Sequence, residues 1–455
     1  MSSPSKAKIM DFAKIRRIDA LWRDSFWLLV MRFFNLGIML LLSILLSRTL
    51  GAEQYGVFAF GLAVLMIAVV PARFGFDQYL ASEIPALIHK QAYAEVKGLV
   101  SWAYLVTFGI SLGIAATWAA AWALVPSLLA FDLWLSTMIS LCGLPFLALL
   151  HCRLGVLRGQ HKTVAGQLPI VVIQPLAAIL LTGAAITVNQ QALDGLLSQA
   201  LFAASMLVVC GLSFVFMHAS LEPSYRNLAR SYRAPSWAKA AAPLMMAGGF
   251  SIVIAHVGVI FLGALLDEAA AGIYQPAAQL AAFVMLAFHM VNQPLGPRIA
   301  QLFAEGKLEV LQQLITRVAV ICAAFSLVVS LCFFLWGAAA LSIYGAEFSA
   351  AAPALWILTA GSLATVALGP AAMILMMLGY GYLVALLTAG GAILSIVLTV
   401  TLIPLLGIEG AAFANIGALL SWNLVAAYFV IRRTGLYSSP LLRVVPAAFL
   451  RPELA

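Results

Sequence analysis

Charge is scarce in this chain: aspartate, glutamate, lysine and arginine together supply 9% of its 455 residues, against roughly a quarter in an ordinary soluble domain. With 64% of the residues hydrophobic, too little polar material remains to cover a water-exposed surface, which excludes a soluble fold. Strand-like alternation of apolar and polar residues is also missing, which argues against a membrane β-barrel. The five cysteines, Cys142, Cys152, Cys210, Cys322 and Cys332, show no CxxC spacing and read as small packing residues. No GxxxxGK[ST] loop and no HExxH pair occurs. ATP hydrolysis and zinc proteolysis therefore have no support, no hydrolase elbow is expected, and neither a cofactor nor a metal is implied.

What the sequence does have is long apolar runs. Phe26 to Ser47, Val171 to Val188 and Leu383 to Ile403 each approach or exceed the ~20 residues that carry a helix across a bilayer. Hydropathy places spans near 26–47, 56–76, 98–121, 132–150, 168–188, 196–218, 241–265, 272–296, 315–337, 353–378, 380–403 and 409–431. The expected fold is an all-α polytopic membrane protein of about twelve transmembrane helices. Its organisation is a cytoplasmic amphipathic N-terminus (1–25), a six-helix half (26–218), a cytoplasmic inter-half loop (219–240), a second six-helix half (241–431) and a cytoplasmic tail (432–455). The basic N-terminal stretch leads into the first span without a small-residue cleavage site, as in an uncleaved cytoplasmic start.

The net charge of +8 would raise nucleic-acid binding in a soluble protein. Here 23 of the 25 lysines and arginines fall in the termini and the loops after even-numbered spans, counting Arg73 and Arg317 at span ends. Only Arg48 lies on the opposite side, and Arg32 lies inside the first span. The positive-inside rule turns that bias into a topology with both termini cytoplasmic, and nucleic acid drops out as a partner. The outer loops are short and carry Glu53, Asp132, Asp194, Asp267, Glu268, Glu347 and Glu409.

Three anchors repeat in order. Leu50 to Phe58 matches Leu266 to Tyr274, Leu157 to Gln160 matches Met377 to Tyr380, and Leu193 to Gly195 matches Ile408 to Gly410, at offsets of 216, 220 and 215. Six spans per unit put both halves in the same orientation, which is a parallel repeat about an axis along the membrane normal. A cleft between the halves follows from that axis.

The stretch Ser47-Arg48-Thr49-Leu50-Gly51-Ala52-Glu53-Gln54-Tyr55-Gly56-Val57-Phe58 resembles the corresponding segment of bacterial polysaccharide repeat-unit flippases of the multidrug/oligosaccharidyl-lipid/polysaccharide exporter superfamily. Arg73 to Asp77, Gly155 to Lys162 and Gly407 to Ala412 support the resemblance. It implies a transporter and not an enzyme, located in the bacterial inner membrane, moving a lipid-linked oligosaccharide from the cytoplasmic to the outer leaflet. It also implies a central cavity lined by spans 1, 2, 7 and 8, with membrane lipids and polysaccharide polymerase or other assembly proteins as further partners.

Polar groups inside a membrane are costly and are functional candidates by default. Arg32, Asn35, Met39 and Ser43 share one face of span 1 at 100° per residue. That face could meet a pyrophosphate through paired arginine donors, or Arg32 could snorkel to the headgroups. In span 8, Gln275, Gln279, His289 and Gln293 recur at helical spacing, facing either substrate or neighbouring helices. His256 in span 7 is a packed histidine or a proton carrier. Arg73 and Asp77 stand at i and i+4 and are expected to pair, with Arg73 also available to an anionic headgroup. Asp77, His256 and His289 are the candidates for ion coupling, because no carboxylate lies deep in a span. A cation-coupled drug exporter of the same superfamily and, less favoured, a membrane-embedded glycan polymerase or ligase are the alternatives; Arg32 and Arg73 suit an anionic ligand better than a cationic drug.

Overall fold

The computed structural model describes residues 4–125, 129–188, 193–220 and 229–443, and among them the chain is helical throughout, without a strand. The helices run in order α1 (Pro4–Arg73), α2 (Phe76–His89), α3 (Tyr93–Leu124), α4 (Phe131–Gly159), α5 (Thr163–Leu168), α6 (Gln174–Val188) and α7 (Gly195–Ser220), then α8 (Ala234–Leu265), α9 (Glu268–Ala281), α10 (Leu286–Ala304), α11 (Leu308–Ser342), α12 (Ala352–Ala367), α13 (Ala371–Met377) and α14 (Gly381–Thr434). A π-helical turn, Pro169–Ile173, joins α5 to α6, and a 3₁₀ turn, Ala282–Met285, joins α9 to α10.

Ten segments among the described residues are long and apolar enough to cross a membrane. Two of them, Val30–His89 with 60 residues and Gly381–Thr434 with 54, would measure roughly 90 and 80 Å as straight helices at 1.5 Å per residue, far more than a ~30 Å hydrocarbon core. Each breaks at a glycine with positive φ, Gly51 at 72° and Gly407 at 61°. The chain reverses at both. Ser43 Oγ and Tyr55 Oη meet at 2.6 Å across the first break, and Gly410 packs on the backbone of Leu402 and Ile403 across the second. Each long segment therefore supplies two spans, and the ten segments make the twelve expected. Only glycine adopts such φ values without strain, which explains why glycine stands at these two reversals.

The outside of the bundle is a lipid surface. On α11, Val328, Leu331, Phe334, Leu335 and Trp336 are all more than half exposed, an arrangement that water would not tolerate. Buried hydroxyls turn back onto their own helices: Ser140 donates to Ser136 O, Thr365 to Gly361 O and Thr399 to Ser395 O. This satisfies polar atoms where no water is available. The chain is a multi-pass membrane protein.

The structure corrects three details of the sequence reading. Arg153, assigned to a basic loop, lies inside α4 and is 1% exposed, because α4 continues nine residues past the expected end of span 4. The inter-half loop expected at 219–240 is shortened from both sides, since α7 reaches Ser220 and α8 starts at Ala234; residues 221–228 lie outside the described residues. Third, Gly109-Ile110-Ser111-Leu112-Gly113 does spell G-x-S-x-G, yet it sits in the middle of α3 with Ser111 Oγ donating to Thr107 O at 2.7 Å. A nucleophile elbow requires a strand-to-helix turn, so the string carries no hydrolase chemistry. Of the cysteines, Cys152, Cys210 and Cys322 are buried, while Cys142 and Cys332 are exposed.

The first six spans meet the last six chiefly at the end that carries the acidic loops. Ser47 Oγ donates to Tyr344 O at 3.0 Å, Arg48 Nε to Ile343 O at 2.6 Å, and Ala52 N to Glu347 Oε1 at 2.7 Å. The Tyr55 and Phe348 rings meet edge to face. Beneath these contacts the helix-pair crossing of α1 and α9 is closed by two glycines: a Cβ on Gly56 would fall on the Glu268 carbonyl, and one on Gly272 on the Ala52 carbonyl. At the basic end, among the described residues, the halves touch on the flank where Gly75 abuts Ala241 and Met245 and Arg233 pairs with Glu95 at 2.7 Å. On the other flank α10 packs on α11, α13 and its own 3₁₀ turn and not on α1 in any extended way. Among the described residues the halves are joined tightly at the acidic end, while α1 and α10 make few close contacts at the basic end.

Candidate functional site

Arg32 projects from the basic-end portion of α1, where α1 and α10 make few close contacts. It is half-buried and finds no hydrogen-bond or ion-pair partner among the described residues. It acts electrostatically on Arg158, at the end of α4, and on His289, at the start of α10. Arg158 in turn feels Asp77, which is 7% exposed and bound to Arg73 Nη1 at 3.2 Å. His151, half-buried on α4, stands within the same field of Arg73, Asp77 and Arg158. Arg73, Arg158 and His151 thus share one aspartate, with Arg32 and His289 beside them. Unpaired guanidinium groups in a low-dielectric setting are costly, and Arg32 is such a group, whereas Arg73 is held by Asp77.

Arg73 and Asp77 pair as expected, but across the end of α1: Phe74 and Gly75, both with positive φ, turn the chain so that Asp77 lies in the first turn of α2. The pair ties Arg73 down and keeps Asp77 occupied. Asn35 donates from Nδ2 to Val171 O at 2.7 Å, capping a carbonyl that the π-helical turn leaves open; its acceptor oxygen is still available. Ser43 was placed on the same wall, but it is 7% exposed and bonded to Tyr55 in the acidic-end seam, away from Arg32. The face spans more than ten residues, and at 1.5 Å per residue its two ends lie about 16 Å apart.

A cavity of about 450 Å³ opens within the last six spans, walled by α8, α9, α10, α12, α13 and α14. No residue of spans 1 and 2 lines it, in contrast to the cavity expected between spans 1, 2, 7 and 8. On span 8 its wall includes Tyr274, Ala278, Met285, Phe288, His289 and Asn292. That face is centred about 80° round the helix from the Gln275, Gln279 and His289 face, at 100° per residue. The expected polar stripe therefore overlaps the cavity only at its His289 edge. Gln275 is half-buried outside it, and Gln279 keeps a buried Oε1 without a partner; the Gln293 side chain lies outside the described residues. His256 is half-buried on α8 and is not part of the wall, although Ser251, Ile254 and Ala255 of the same helix are.

Residues that the sequence reading passed over complete the picture. Arg158 was assigned to a loop, and His151 was not considered. Asn415 and Asn423 flank Trp422 on the cavity face of α14. Their eight-residue spacing places the two amides on one helix face, a pattern as regular as the glutamine stripe and readable in the same way. Among the described residues no cluster of three metal-ligating side chains occurs.

A family model described as polysaccharide biosynthesis protein matches residues 21–303. No curated protein matches the chain. Among solved structures, an inward-facing multidrug resistance MATE family transporter of the MOP superfamily superposes with a TM-score of 0.70 at 15% identity, over 86% of this chain and 93% of that one. A MOP superfamily transporter from Pyrococcus furiosus, whose description notes a binding pocket of reverse polarity suggesting a different function, gives 0.62 at 13% identity over 89% and 94%. A Vibrio cholerae MATE transporter gives 0.61 at 16% over 91% and 98%. These likenesses establish a common fold.

Proposed function

The chain belongs to the polysaccharide biosynthesis protein family and has the fold of MOP-superfamily transporters, and from that premise we propose that it flips a lipid-linked oligosaccharide. The cargo is a polyprenyl-pyrophosphate glycan, taken from the cytoplasmic leaflet and released in the outer one by alternating access, without catalysis. The basic end faces the cytoplasm of a bacterial inner membrane, and both termini lie on that side. The units 26–218 and 241–431 rock against each other, sealed outside and parted inside in the state described here.

The observation that carries this reading is the unpaired Arg32 beside Arg158 and His289 at the inner parting. A pyrophosphate entering from the cytoplasmic leaflet meets donors from both units there, and guanidinium groups grip phosphate oxygens in pairs. Arg73, already held by Asp77, shapes the edge of the site. Of the remaining candidates, Asn35, Gln275 and Gln279 can hydrogen-bond the headgroup as it passes; Ser43 serves the outer seam. Membrane lipids flank the parting, and the assembly proteins that extend the glycan outside are the expected partners.

A drug exporter for cationic compounds needs an acidic group in its cavity. The cavity wall holds no aspartate or glutamate, and its one ionisable side chain besides Tyr274 is His289. With no free carboxylate deep in a span, outward movement of an anion can draw on the membrane potential, about 2.3 kcal/mol per charge per 100 mV. Asp77, His256 and His289 are the groups through which a proton would couple if it did.

The test is deletion of the protein followed by leaflet-resolved analysis of lipid-linked glycans. Complete repeat units accumulate on the cytoplasmic face if the reading holds. Normal glycan export together with increased drug sensitivity would replace it with the exporter.

A further inference from the structure

The cavity in the last six spans stands apart from the arginines, and its chemistry differs from theirs. Its wall carries no lysine, arginine, aspartate or glutamate. It combines apolar surfaces, from Trp422, Phe288 and Leu419, with amides and hydroxyls from Asn292, Asn415 and Ser362. At about 450 Å³ it falls within the ~300–1,000 Å³ range of small-molecule sites.

Its hydrogen bonding is unfinished. Asn292 Oδ1 and Trp422 Nε1 are buried and have no partner. Asn415 donates Nδ2 to Ile254 O and Asn423 donates Nδ2 to Leu419 O, each at 2.8 Å, so both amides are fixed in orientation with their carbonyl oxygens unused by these bonds. Buried polar atoms are nearly always paired, and the Asn292 oxygen and the Trp422 indole N–H are not. A lipid chain in the cavity would leave both unpaired. An anion would find no fixed cation. A cationic drug would find no carboxylate. A neutral sugar matches each feature, since its hydroxyls donate to amide oxygens and accept from an indole N–H, while its C–H face lies against an aromatic ring.

We infer that this cavity is a binding subsite for neutral sugar residues of the glycan, with Trp422 as the platform and Asn292, Asn415 and Asn423 as hydroxyl acceptors. The inference rests on the flippase reading and assigns it a second point of contact: pyrophosphate at Arg32, sugars beyond His289, which borders both. Recognition of the glycan then resides in the last six spans and recognition of the anchor in the first six.

The experiment uses the full-length protein in lipid nanodiscs and two probes: the lipid-linked oligosaccharide extracted from the source cells, and polyprenyl pyrophosphate bearing no sugar. The native protein binds the glycosylated probe about tenfold more tightly than the bare one. Trp422→Leu and Asn292→Leu each abolish that difference and leave affinity for the bare pyrophosphate unchanged, whereas Trp422→Phe, which keeps a ring, retains most of it. Discrimination that survives both leucine substitutions, or loss of affinity for both probes to the same degree in folded variants, overturns the subsite. If the native protein binds neither probe, it is the flippase reading that fails and the subsite falls with it. Circular dichroism and thermal unfolding confirm that each variant is folded.

Discussion

Gly56 and Gly272 face each other across the crossing of α1 and α9, each occupying the space where the other helix would otherwise need room for a side chain. A Cβ on either one would strike a backbone carbonyl of the opposite segment. The two residues also stand at equivalent positions of the internal repeat, at an offset of 216. A pair of repeat-equivalent glycines in mutual contact is what an axis along the membrane normal, passing between them, would produce. Close helix approach through small residues is the usual means of association in a bilayer, and here it locks the acidic end.

That contact yields the first prediction. Gly56→Val or Gly272→Val forces the α1–α9 crossing apart and shifts the population toward the outward-open state. With the five native cysteines replaced, a cysteine at Ala52, which is 5% exposed, should react with a membrane-impermeant maleimide several-fold faster in either valine background than in the parent. Equal rates would show that the glycine pair does not hold the seam.

Arg32 supplies the second. Arg32→Gln removes a charge-assisted contact worth about 1.5–3 kcal/mol, which corresponds to about 10- to 150-fold in affinity for the pyrophosphate probe. Arg32→Lys keeps the charge but not the planar fork and should recover only part of the loss. A lysine variant equal to the native protein would mean that charge alone suffices, and an unaffected glutamine variant would return Arg32 to the snorkelling role.

Arg153 behaves differently because it is structural. Its guanidinium lies 3.4 Å above the Phe214 ring and donates to Cys210 O at 2.8 Å, while Nε and Nη2 find no partner. Replacing a buried charge with an apolar side chain of similar length is often neutral or stabilising, so Arg153→Met should leave the melting temperature in detergent unchanged or raised. Arg153→Ala leaves a void and should destabilise by about 2–4 kcal/mol. Neither should alter probe affinity.

The energy source is open to direct measurement. In proteoliposomes, an imposed potential, negative on the basic side, should accelerate flipping of the pyrophosphate-linked glycan, since each negative charge moved outward gains about 2.3 kcal/mol per 100 mV. Insensitivity to potential combined with dependence on a pH gradient would transfer coupling to Asp77, His256 or His289.

The twelve spans were legible because apolar length is a strong signal, and the reversals at Gly51 and Gly407 fall in the short gaps that hydropathy leaves between spans 1 and 2 and between spans 11 and 12. The Arg73–Asp77 pair was expected from helical spacing, yet it forms across the turn at Phe74 and Gly75 that ends α1, a break the spacing did not reveal. Other features depend on tertiary structure. Ser43 shares a helix face with Arg32, but a face more than two turns long passes from the parting into the seam. The glutamine stripe is regular, yet the cavity takes the neighbouring face of the same helix, and only packing against α12 and α14 decides which face is lined. Arg153 reads as a loop cation because hydropathy ends a span at the first charge, whereas Phe214 and the Cys210 carbonyl draw it into α4.

The central claim is that a lipid-linked glycan crosses the membrane at a site whose anchor contact is Arg32. The most direct measurement is flipping of the extracted lipid-linked oligosaccharide in proteoliposomes, followed by the accessibility of its sugars to a glycosidase added outside. The native protein should expose the glycan on the opposite leaflet, and Arg32→Gln should slow the process at least tenfold while remaining folded. Flipping by the native protein no faster than in protein-free vesicles would contradict the claim outright, and an unimpaired Arg32→Gln variant would contradict the site.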